Sequence, residues 1–280
     1  MIIAIPNKGR LSSPALELLK EAGLKPENSE RRLIAPTNNP NVNILFARAR
    51  DIPEYVYMNA ATAGITGLDL VLEANVDVDI LLNLGFGKAK LVVAAPIGKI
   101  KDISELNGKR VATEFRRISE QFFRERGIDV EIVEVSGACE NAPAIGVAEA
   151  ILDLTSSGTT LRMNGLEIVE VVMETEAVLI ANKGARDDFR VKALVTAIQS
   201  VINARGMMYL MMNVPSDRLE DVKKVVPGLK GPTVMRVESE EDIVAVHVVV
   251  HEDRLFEVVE ELKRMGARDI LVIPVQRLIF

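Results

Sequence analysis

The chain of 280 residues carries 34 Lys and Arg against 40 Asp and Glu, giving a net charge of −6, and 48% of its residues are hydrophobic. The charges are scattered and tryptophan is absent, which argues against nucleic acid as a partner. No apolar run approaches the roughly 20 residues that span a bilayer, and the single cysteine, Cys139, cannot form an internal disulfide. We therefore expect a cytoplasmic protein of two or three domains that binds neither nucleic acid nor membrane.

The first half of the chain alternates apolar runs with amphipathic segments, a pattern typical of βαβ units on a largely parallel sheet. For the first helix, Ser12 or Ser13 is expected at the N-cap, Pro14 in the first turn and Gly23 just beyond the end. The alternating segments are 2–5, 16–22, 42–46, 53–58 and 63–65.

A second α/β pattern starts near residue 91, with segments at 91–95, 110–112, 118–125, 130–135 and 151–154. The apolar runs 167–173 and 177–181 are spaced like two paired strands that return the chain to the first domain, and a helix is expected at about 187–205. We therefore predict one domain of residues 1–90 with 177–205 and a second domain of residues 91–176.

The pattern changes again in residues 206–280, which predict a third domain. Its elements follow the order βαββαβ, the ferredoxin-like arrangement, and Gly266 is expected to end the second helix. The predicted elements are 208–212, 216–225, 233–237, 243–250, 253–265 and 270–275.

The segment most informative about chemistry follows the predicted strand 151–154. An apolar strand ends in an acid, Asp153, and leads into a turn rich in hydroxyls and containing Gly158. The amides of such a turn can bind a phosphate, glycine permits close approach, and Asp153 is placed to accept hydrogen bonds from sugar hydroxyls. A solvated turn is the alternative for an isolated Ser-Ser-Gly-Thr, but the preceding strand and acid favour the phosphate site. The predicted site consists of Asp153, Leu154, Thr155, Ser156, Ser157, Gly158, Thr159 and Thr160.

Further short motifs, each weak alone, are spread over nearly the whole chain in a definite order. They occupy residues 6–11, 64–69, 84–87, 137–140, 153–161, 227–229, 232–233, 266–267 and 270–272. In this order they resemble the ATP phosphoribosyltransferase family in its long form. The resemblance implies an α/β fold with two domains like type II periplasmic binding proteins forming a cleft, and a C-terminal ferredoxin-like regulatory domain.

The resemblance also implies the first reaction of histidine biosynthesis, in which N1 of ATP displaces pyrophosphate from C1 of phosphoribosyl pyrophosphate. Mg²⁺ is expected on the pyrophosphate as a substrate-bound ion. Because Mg²⁺ prefers oxygen ligands and keeps waters, the substrate can supply most of its coordination, and no protein metal site is predicted. Positioning and electrostatics should carry the catalysis, since the displacement needs no nucleophilic side chain.

Site residues beyond the phosphate segment are assigned by motif match. Asp153 and Glu140 are the catalytic candidates, although Glu140 could instead stabilise the start of the following helix. Arg50 is left open. In residues 112–117, Phe115 and Arg116 stand where the family pattern has Tyr and Pro, so no nucleotide contact is assigned there. The resemblance implies ATP or pyrophosphate binding by Lys8, Arg10, Arg48, Gly64, Thr66, Gly67 and Asp69, of which the last four could also form a plain βα connection.

Regulation is implied by the resemblance alone. Histidine is expected to inhibit by binding where subunits meet, near Leu229, Gly231, Thr233 and Val272, and to shift active homodimers toward a homohexamer. Two alternatives stay open on the sequence: a ligand-binding receptor built from two hinged lobes, and a phosphoribosyltransferase for another base. The matches at residues 8–10 and 64–69 favour ATP.

Overall fold

The computed structural model describes residues 1–27 and 33–280. Its strands are β1 Ile2–Pro6, β2 Ile34–Pro36, β3 Asn43–Ala47, β4 Ala63–Gly67, β5 Val78–Asn83, β6 Ala89–Pro96, β7 Lys109–Thr113, β8 Val130–Glu134, β9 Ala150–Thr155, β10 Leu166–Thr175, β11 Ala177–Asn182, β12 Met207–Pro215, β13 Thr233–Arg236, β14 Ile243–His251 and β15 Arg268–Pro274. Its helices are α1 Ser12–Glu21, α2 Ile52–Tyr57, α3 Leu68–Ala74, α4 Arg116–Glu125, α5 Thr159–Met163, α6 Phe189–Ala204, α7 Leu219–Val225 and α8 Leu255–Arg264.

The described residues form two compact units, Met1–Val195 and Thr196–Phe280, which divide within α6. The expected helix at about 187–205 is therefore present as α6. None of the described helices is both long enough and apolar enough to cross a membrane.

The first sheet of unit Met1–Val195 has the strand order β2-β3-β1-β4-β11-β5. Strand β1 runs parallel to β3 and β4, whereas β11 runs antiparallel to β4 and β5. The central strands β1 and β4 are buried over nearly their whole length, which explains their continuous apolar runs. We call this sheet, together with α1–α3, lobe I.

The start of α1 differs from the prediction. Its N-cap is Leu11, whose side chain makes no capping hydrogen bond, so the expected cap at Ser12 or Ser13 was wrong. The chain turns earlier, at Gly9, which has a φ of +81° and whose carbonyl accepts from the Ser12 amide at 3.1 Å. The expected glycine beyond the helix end is confirmed, since Gly23 has a φ of +89°.

The second sheet has the strand order β10-β6-β9-β7-β8. Strand β9 lies in its centre, antiparallel to β6 and parallel to β7. Helix α4 packs its Phe122 and Phe123 into the apolar core beside Leu91 and Leu152. We call this sheet, together with α4 and α5, lobe II.

The two strands β10 and β11 do not pair with each other, which corrects the prediction for 167–173 and 177–181. Strand β10 pairs with β6 in lobe II, and β11 pairs with β4 and β5 in lobe I. Only Glu176 separates them, which leaves no room for even a two-residue hairpin loop. The chain therefore crosses from one sheet to the other at Glu176.

A second crossing, between β5 and β6, lies against the first. The amide of Leu84 donates to the Ala177 carbonyl at 2.9 Å, and the Ala177 amide donates to the Phe86 carbonyl at 2.9 Å. The Glu176 carboxylate accepts from the Gly85 amide at 3.0 Å. The connection between the lobes thus consists of two crossings that are hydrogen-bonded to each other.

Unit Thr196–Phe280 contains an antiparallel sheet of strand order β13-β14-β12-β15. Helices α7 and α8 contribute Val222, Val258 and Leu262 to an apolar core with Leu210 and Val246 of the sheet. Because α7 follows β12 and α8 follows β14, the element order is βαββαβ. The predicted ferredoxin-like arrangement is confirmed.

The buried glycine of β4 yields a stability prediction. A Cβ atom on Gly64 would lie 2.5 Å from Ile52 Cγ2 and 3.0 Å from Val56 Cγ2, so Gly64→Ala must displace α2. We expect it to lower the free energy of unfolding by about 1–3 kcal/mol in urea denaturation. Gly184→Ala is the control, because its Cβ would meet only an ordinary contact at 3.5 Å. Equal stability of the two variants would contradict the packing role of Gly64.

Candidate active site

The turn after β9 is folded around Gly158. This residue is buried and has a φ of +71°, a conformation that other residues rarely adopt. Its amide donates to Thr155 Oγ1 at 2.8 Å, and the hydroxyls of Ser157 and Thr159 lie 3.0 Å apart. Because Thr155 Oγ1 accepts from an amide, its own hydrogen remains available to another acceptor. The predicted phosphate segment is therefore a preformed hydroxyl-rich turn.

This turn borders a cavity of about 230 Å³ that also contains both predicted catalytic acids. Strand β9 brings Asp153 to the cavity, and Glu140 reaches it from a single 3-10 turn, Cys139–Asn141. The structure thus brings together two parts of the chain that the sequence left separate. The cavity is lined by Glu140, Asp153, Leu154, Thr155, Ser156, Ser157, Thr160 and Leu161.

The carboxyl group of Asp153 is poorly solvated. Burial, followed by the nearby carboxylates of Glu140 and Glu114, raises the pKa of Asp153 to about 6, although a hydrogen bond from the Leu154 amide opposes the shift. That amide donates to Asp153 Oδ1 at 2.7 Å. Three carboxylates therefore lie close together and would repel the negative charge of a phosphorylated ligand. A cation bound to that ligand would offset the repulsion.

Cys139 lies beside these acids but is not a nucleophile. Its thiol is buried and donates to the Ala112 carbonyl at 3.1 Å. Burial raises the pKa of this thiol well above its ordinary value, and the neighbouring carboxylates of Asp153, Glu114 and Glu140 act in the same direction. The thiol therefore stays protonated at neutral pH.

The predicted binding residues of β4 and α3 have internal partners. Thr66 Oγ1 donates to the Ala49 carbonyl at 2.7 Å. The buried Asp69 accepts from Thr175 Oγ1 at 2.6 Å and thereby ties α3 to the end of β10. A Cβ atom on Gly67 would lie 2.3 Å from Asp69 Oδ1, while the missing side chain of Gly64 faces α2. This segment supports the cleft from inside lobe I, and its contact with a ligand stays a prediction.

The predicted basic residues of lobe I are exposed. Arg10 donates to the Gly87 carbonyl and lies 3.9 Å from Asp69 Oδ1. Lys8 and Arg48 are exposed, and within the described part of the chain neither forms an ion pair. Arg50, which the sequence left open, donates to the Glu114 carbonyl of lobe II. Lys8 and Arg48 are therefore accessible to an anionic ligand, whereas Arg10 has contacts within lobe I and Arg50 contacts lobe II.

A second cavity, of about 380 Å³, lies between the lobes beside the two crossings. Ser156 lines both cavities, so the hydroxyl-rich turn forms a wall between them. Sequence reasoning missed Lys88 and Lys90, which line this cavity. Strand pairing of Lys90 with Thr155 places it beside the turn, a non-local relation that no sequence motif encodes.

Arg162 is another residue that sequence reasoning missed. Its Nη2 lies 3.4 Å from the Ser157 carbonyl oxygen and 3.4 Å from Thr159 Oγ1. Arg162 follows Thr159 by three residues in α5, and residues at that spacing lie on one face of a helix. This helical spacing is the sequence signal that could have predicted the contact between Arg162 and the hydroxyl-rich turn.

Comparison with known proteins bears on both the fold and this site. The sequence model of the family described as "HisG: ATP phosphoribosyltransferase" matches residues 48–200, and that of "HisG, C-terminal domain" matches residues 204–277. The ATP phosphoribosyltransferase of Methanococcoides burtonii is 51% identical over 280 residues, covering 99% of each chain. That of Natronomonas pharaonis is 52% identical over 281 residues, covering 100% of each chain.

The chain belongs to the ATP phosphoribosyltransferase family. Its members are pentosyltransferases of histidine biosynthesis, so the family and the enzyme class predicted from the motifs are confirmed.

Solved structures confirm the fold over about 70% of the chain. The ATP phosphoribosyl transferase (HisG:HisZ) complex from Thermotoga maritima matches with a TM-score of 0.62 and 24% identity, covering 71% of this chain and 99% of that chain. A substrate binding protein of an amino acid ABC transporter matches with a TM-score of 0.50 and 12% identity, covering 73% and 94%. The predicted likeness to periplasmic binding proteins is confirmed at the level of fold.

The raised pKa of Asp153 predicts a pH-dependent cost in stability. The folded chain binds this proton more tightly than the unfolded chain, so stability falls as the pH rises from 3.8 to about 6. Asp153→Asn removes the cost, and we expect it to raise the free energy of unfolding by about 1–3 kcal/mol near pH 7.5. Urea denaturation should show this gain disappearing below about pH 4. A pH-independent difference would contradict the assigned cause.

Proposed function

We propose that the chain condenses ATP with 5-phosphoribosyl 1-pyrophosphate to give N1-(5-phosphoribosyl)-ATP and pyrophosphate. The bond from adenine N1 to ribose C1 forms as the bond from C1 to the pyrophosphate oxygen breaks. The observation that carries this proposal is the convergence of Asp153, Glu140 and the hydroxyl-rich turn on one cavity. Family membership supports the choice of substrates.

The turn would hold the 5′-phosphate of the donor. Thr155, Ser156, Ser157 and Thr160 line the cavity and offer neutral hydroxyl donors around the amides of the turn. Asp153 would accept hydrogen bonds from the ribose hydroxyls, and these bonds would compensate for its poor solvation by water. Because its pKa is about 6, Asp153 is mostly ionised at neutral pH and acts as an acceptor.

The charge distribution suits the displacement. Positive charge grows on the ribose as pyrophosphate leaves, and the carboxylates of Asp153 and Glu140, which line one cavity, would stabilise it. Negative charge grows on the pyrophosphate, which the exposed cations Lys8, Arg10 and Arg48 would offset. Holding the two substrates in line supplies the remainder of the rate enhancement.

Mg²⁺ enters this proposal as part of the substrate. Among the described residues, no group of three or more His, Cys, Asp or Glu side chains is arranged to hold a metal ion. Because Mg²⁺ prefers oxygen ligands and retains waters, pyrophosphate oxygens and water would supply most of its ligands. The bound Mg²⁺ would offset the electrostatic repulsion between the three neighbouring carboxylates and the phosphorylated ligand.

An absorbance assay with ATP, phosphoribosyl pyrophosphate and Mg²⁺ tests the reaction. We expect the wild-type chain to form the N1-ribosylated product and Asp153→Asn to reduce kcat/KM by about 100-fold to 1,000-fold while remaining folded. Asp129→Asn, at an exposed aspartate outside both cavities, is the matched control. Ligand binding without turnover by the wild type would instead indicate a receptor, and turnover with another base would indicate a different phosphoribosyltransferase.

Histidine feedback inhibition belongs to this proposal as well. Leu229, Gly231, Thr233 and Val272 are all exposed. Thr233 lies in β13 and Val272 in β15, at opposite edges of the sheet. With strands about 4.8 Å apart, these edges are too far from each other for one histidine to touch both within one sheet. We therefore propose that a second copy of the chain completes the histidine site.

The apolar side chains on this sheet support assembly into homodimers and homohexamers. Leu271 and Ile273 of β15 are 56% and 48% exposed, and Met235 of β13 is 43% exposed. Apolar area of this kind is often covered by association. The proposed cytoplasmic location agrees with a lone, buried cysteine.

Inhibition by histidine gives a separate test. We expect Thr233→Ala to raise the histidine concentration for half-inhibition about tenfold, because it removes a hydroxyl that would bind the inhibitor. Ser239→Ala, which removes another exposed hydroxyl of the same unit, is the control. Histidine inhibition curves measure the inhibition of each variant, and analytical ultracentrifugation with and without histidine measures its assembly state. Unchanged inhibition of Thr233→Ala, or inhibition without any change in assembly, would contradict the shared site.

A further inference from the structure

The helix α4 of lobe II is capped by a side chain of lobe I. Glu73, in the last turn of α3, accepts hydrogen bonds from the amides of Arg117 and Ile118, each at 3.0 Å. Arg50, also of lobe I, donates to the carbonyl of Glu114, just before the helix. The segment 114–118 is therefore held at two points from the opposite lobe.

The first amides of a helix lack partners within the helix, and a carboxylate is favoured there by the helix dipole. The N-cap residue of α4 is Phe115, whose side chain makes no capping hydrogen bond. Glu73 thus supplies from lobe I what the local sequence of α4 lacks. Leu70, one turn earlier in α3, packs against the apolar core of lobe II, so the same helix adds an apolar contact.

The segment 114–118 also contacts the chain next to the cavity lined by Glu140 and Asp153, which we call the donor cavity. The Glu114 carboxylate accepts from the amide of Gly137, two residues before the turn Cys139–Asn141 that holds Glu140. Glu114 is one of the two carboxylates that raise the pKa of Asp153. One continuous set of contacts therefore leads from Glu73 in lobe I to the acids of the cavity in lobe II.

We propose that Glu73 is a positioning residue which, by capping α4 from the opposite lobe, couples closure of the two lobes to the placement of Glu114 and Glu140 at the donor cavity. The inference rests on the proposed function, since it assigns the cavity to the phosphoribosyl donor. Closure and donor binding then share a coupling free energy, so each favours the other. Loss of the cap opens the lobes and weakens donor binding together.

Distances between the lobes test this coupling directly. Spin labels are placed on Glu17→Cys in lobe I and Lys101→Cys in lobe II, both exposed, while the native Cys139 is buried. Pulsed electron paramagnetic resonance and calorimetric titration with phosphoribosyl pyrophosphate are run on the full chain. The backgrounds are wild type, Glu73→Ala, Glu73→Gln and the control Glu170→Ala, which removes an exposed carboxylate of lobe II.

We expect Glu73→Ala to broaden and lengthen the distance distribution and to raise the donor Kd about tenfold, and saturating donor to restore the short distance. Glu73→Gln, which keeps one carbonyl acceptor without the charge, should lie between it and the wild type. A wild-type distribution for Glu73→Ala overturns the inference, as does a longer distance with a wild-type Kd. If Glu73→Ala does not fold, the same outcomes are read from Glu73→Gln.

The distance measurement and the calorimetric titration separate this inference from the proposed function, because neither measurement depends on turnover. If the wild-type chain binds the donor but forms no N1-ribosylated product, the proposed reaction is wrong. The distances between the spin labels then still test the coupling. A wild-type chain that does not bind the donor overturns both.

Discussion

The poorly solvated carboxyl group of Asp153 constrains the whole site. Strand β9 pairs with β6 at Asp153 and with β7 as far as Leu152, so the backbone beside the group is fixed in the sheet. Burial and the acids Glu140 and Glu114 raise its pKa to about 6, so the ionised group is costly in the folded chain unless a ligand offsets that cost. Sugar hydroxyls and a cation carried by the ligand would relieve that cost, which is why we assign a phosphorylated sugar here.

The two lobes of the first unit carry different predicted site residues. Lobe II contributes the acids and the neutral turn, whereas lobe I contributes the exposed cations Lys8, Arg10 and Arg48. The lobes are joined by two crossings that are hydrogen-bonded to each other, at residues 84–86 and 176–177.

The sequence was sufficient where the signals were local. The strand, acid and glycine turn at 153–160 are contiguous, and the alternation of elements in residues 206–280 is regular, so both were predicted correctly in outline. Pairing was not predictable for β10 and β11, because their partners β6 and β4 lie about 70 to 120 residues away in the chain. The cap of α4 comes from Glu73, 44 residues before Arg117, so no capping motif around α4 reveals it.

The most direct test of the account is a crystal structure of the chain with phosphoribosyl pyrophosphate and Mg²⁺. We predict the 5′-phosphate within hydrogen-bonding distance of the amides and hydroxyls of residues 155–160, with ribose hydroxyls about 2.7 Å from the Asp153 carboxylate. A donor bound elsewhere, or bound with its ribose turned away from Asp153, would contradict the account.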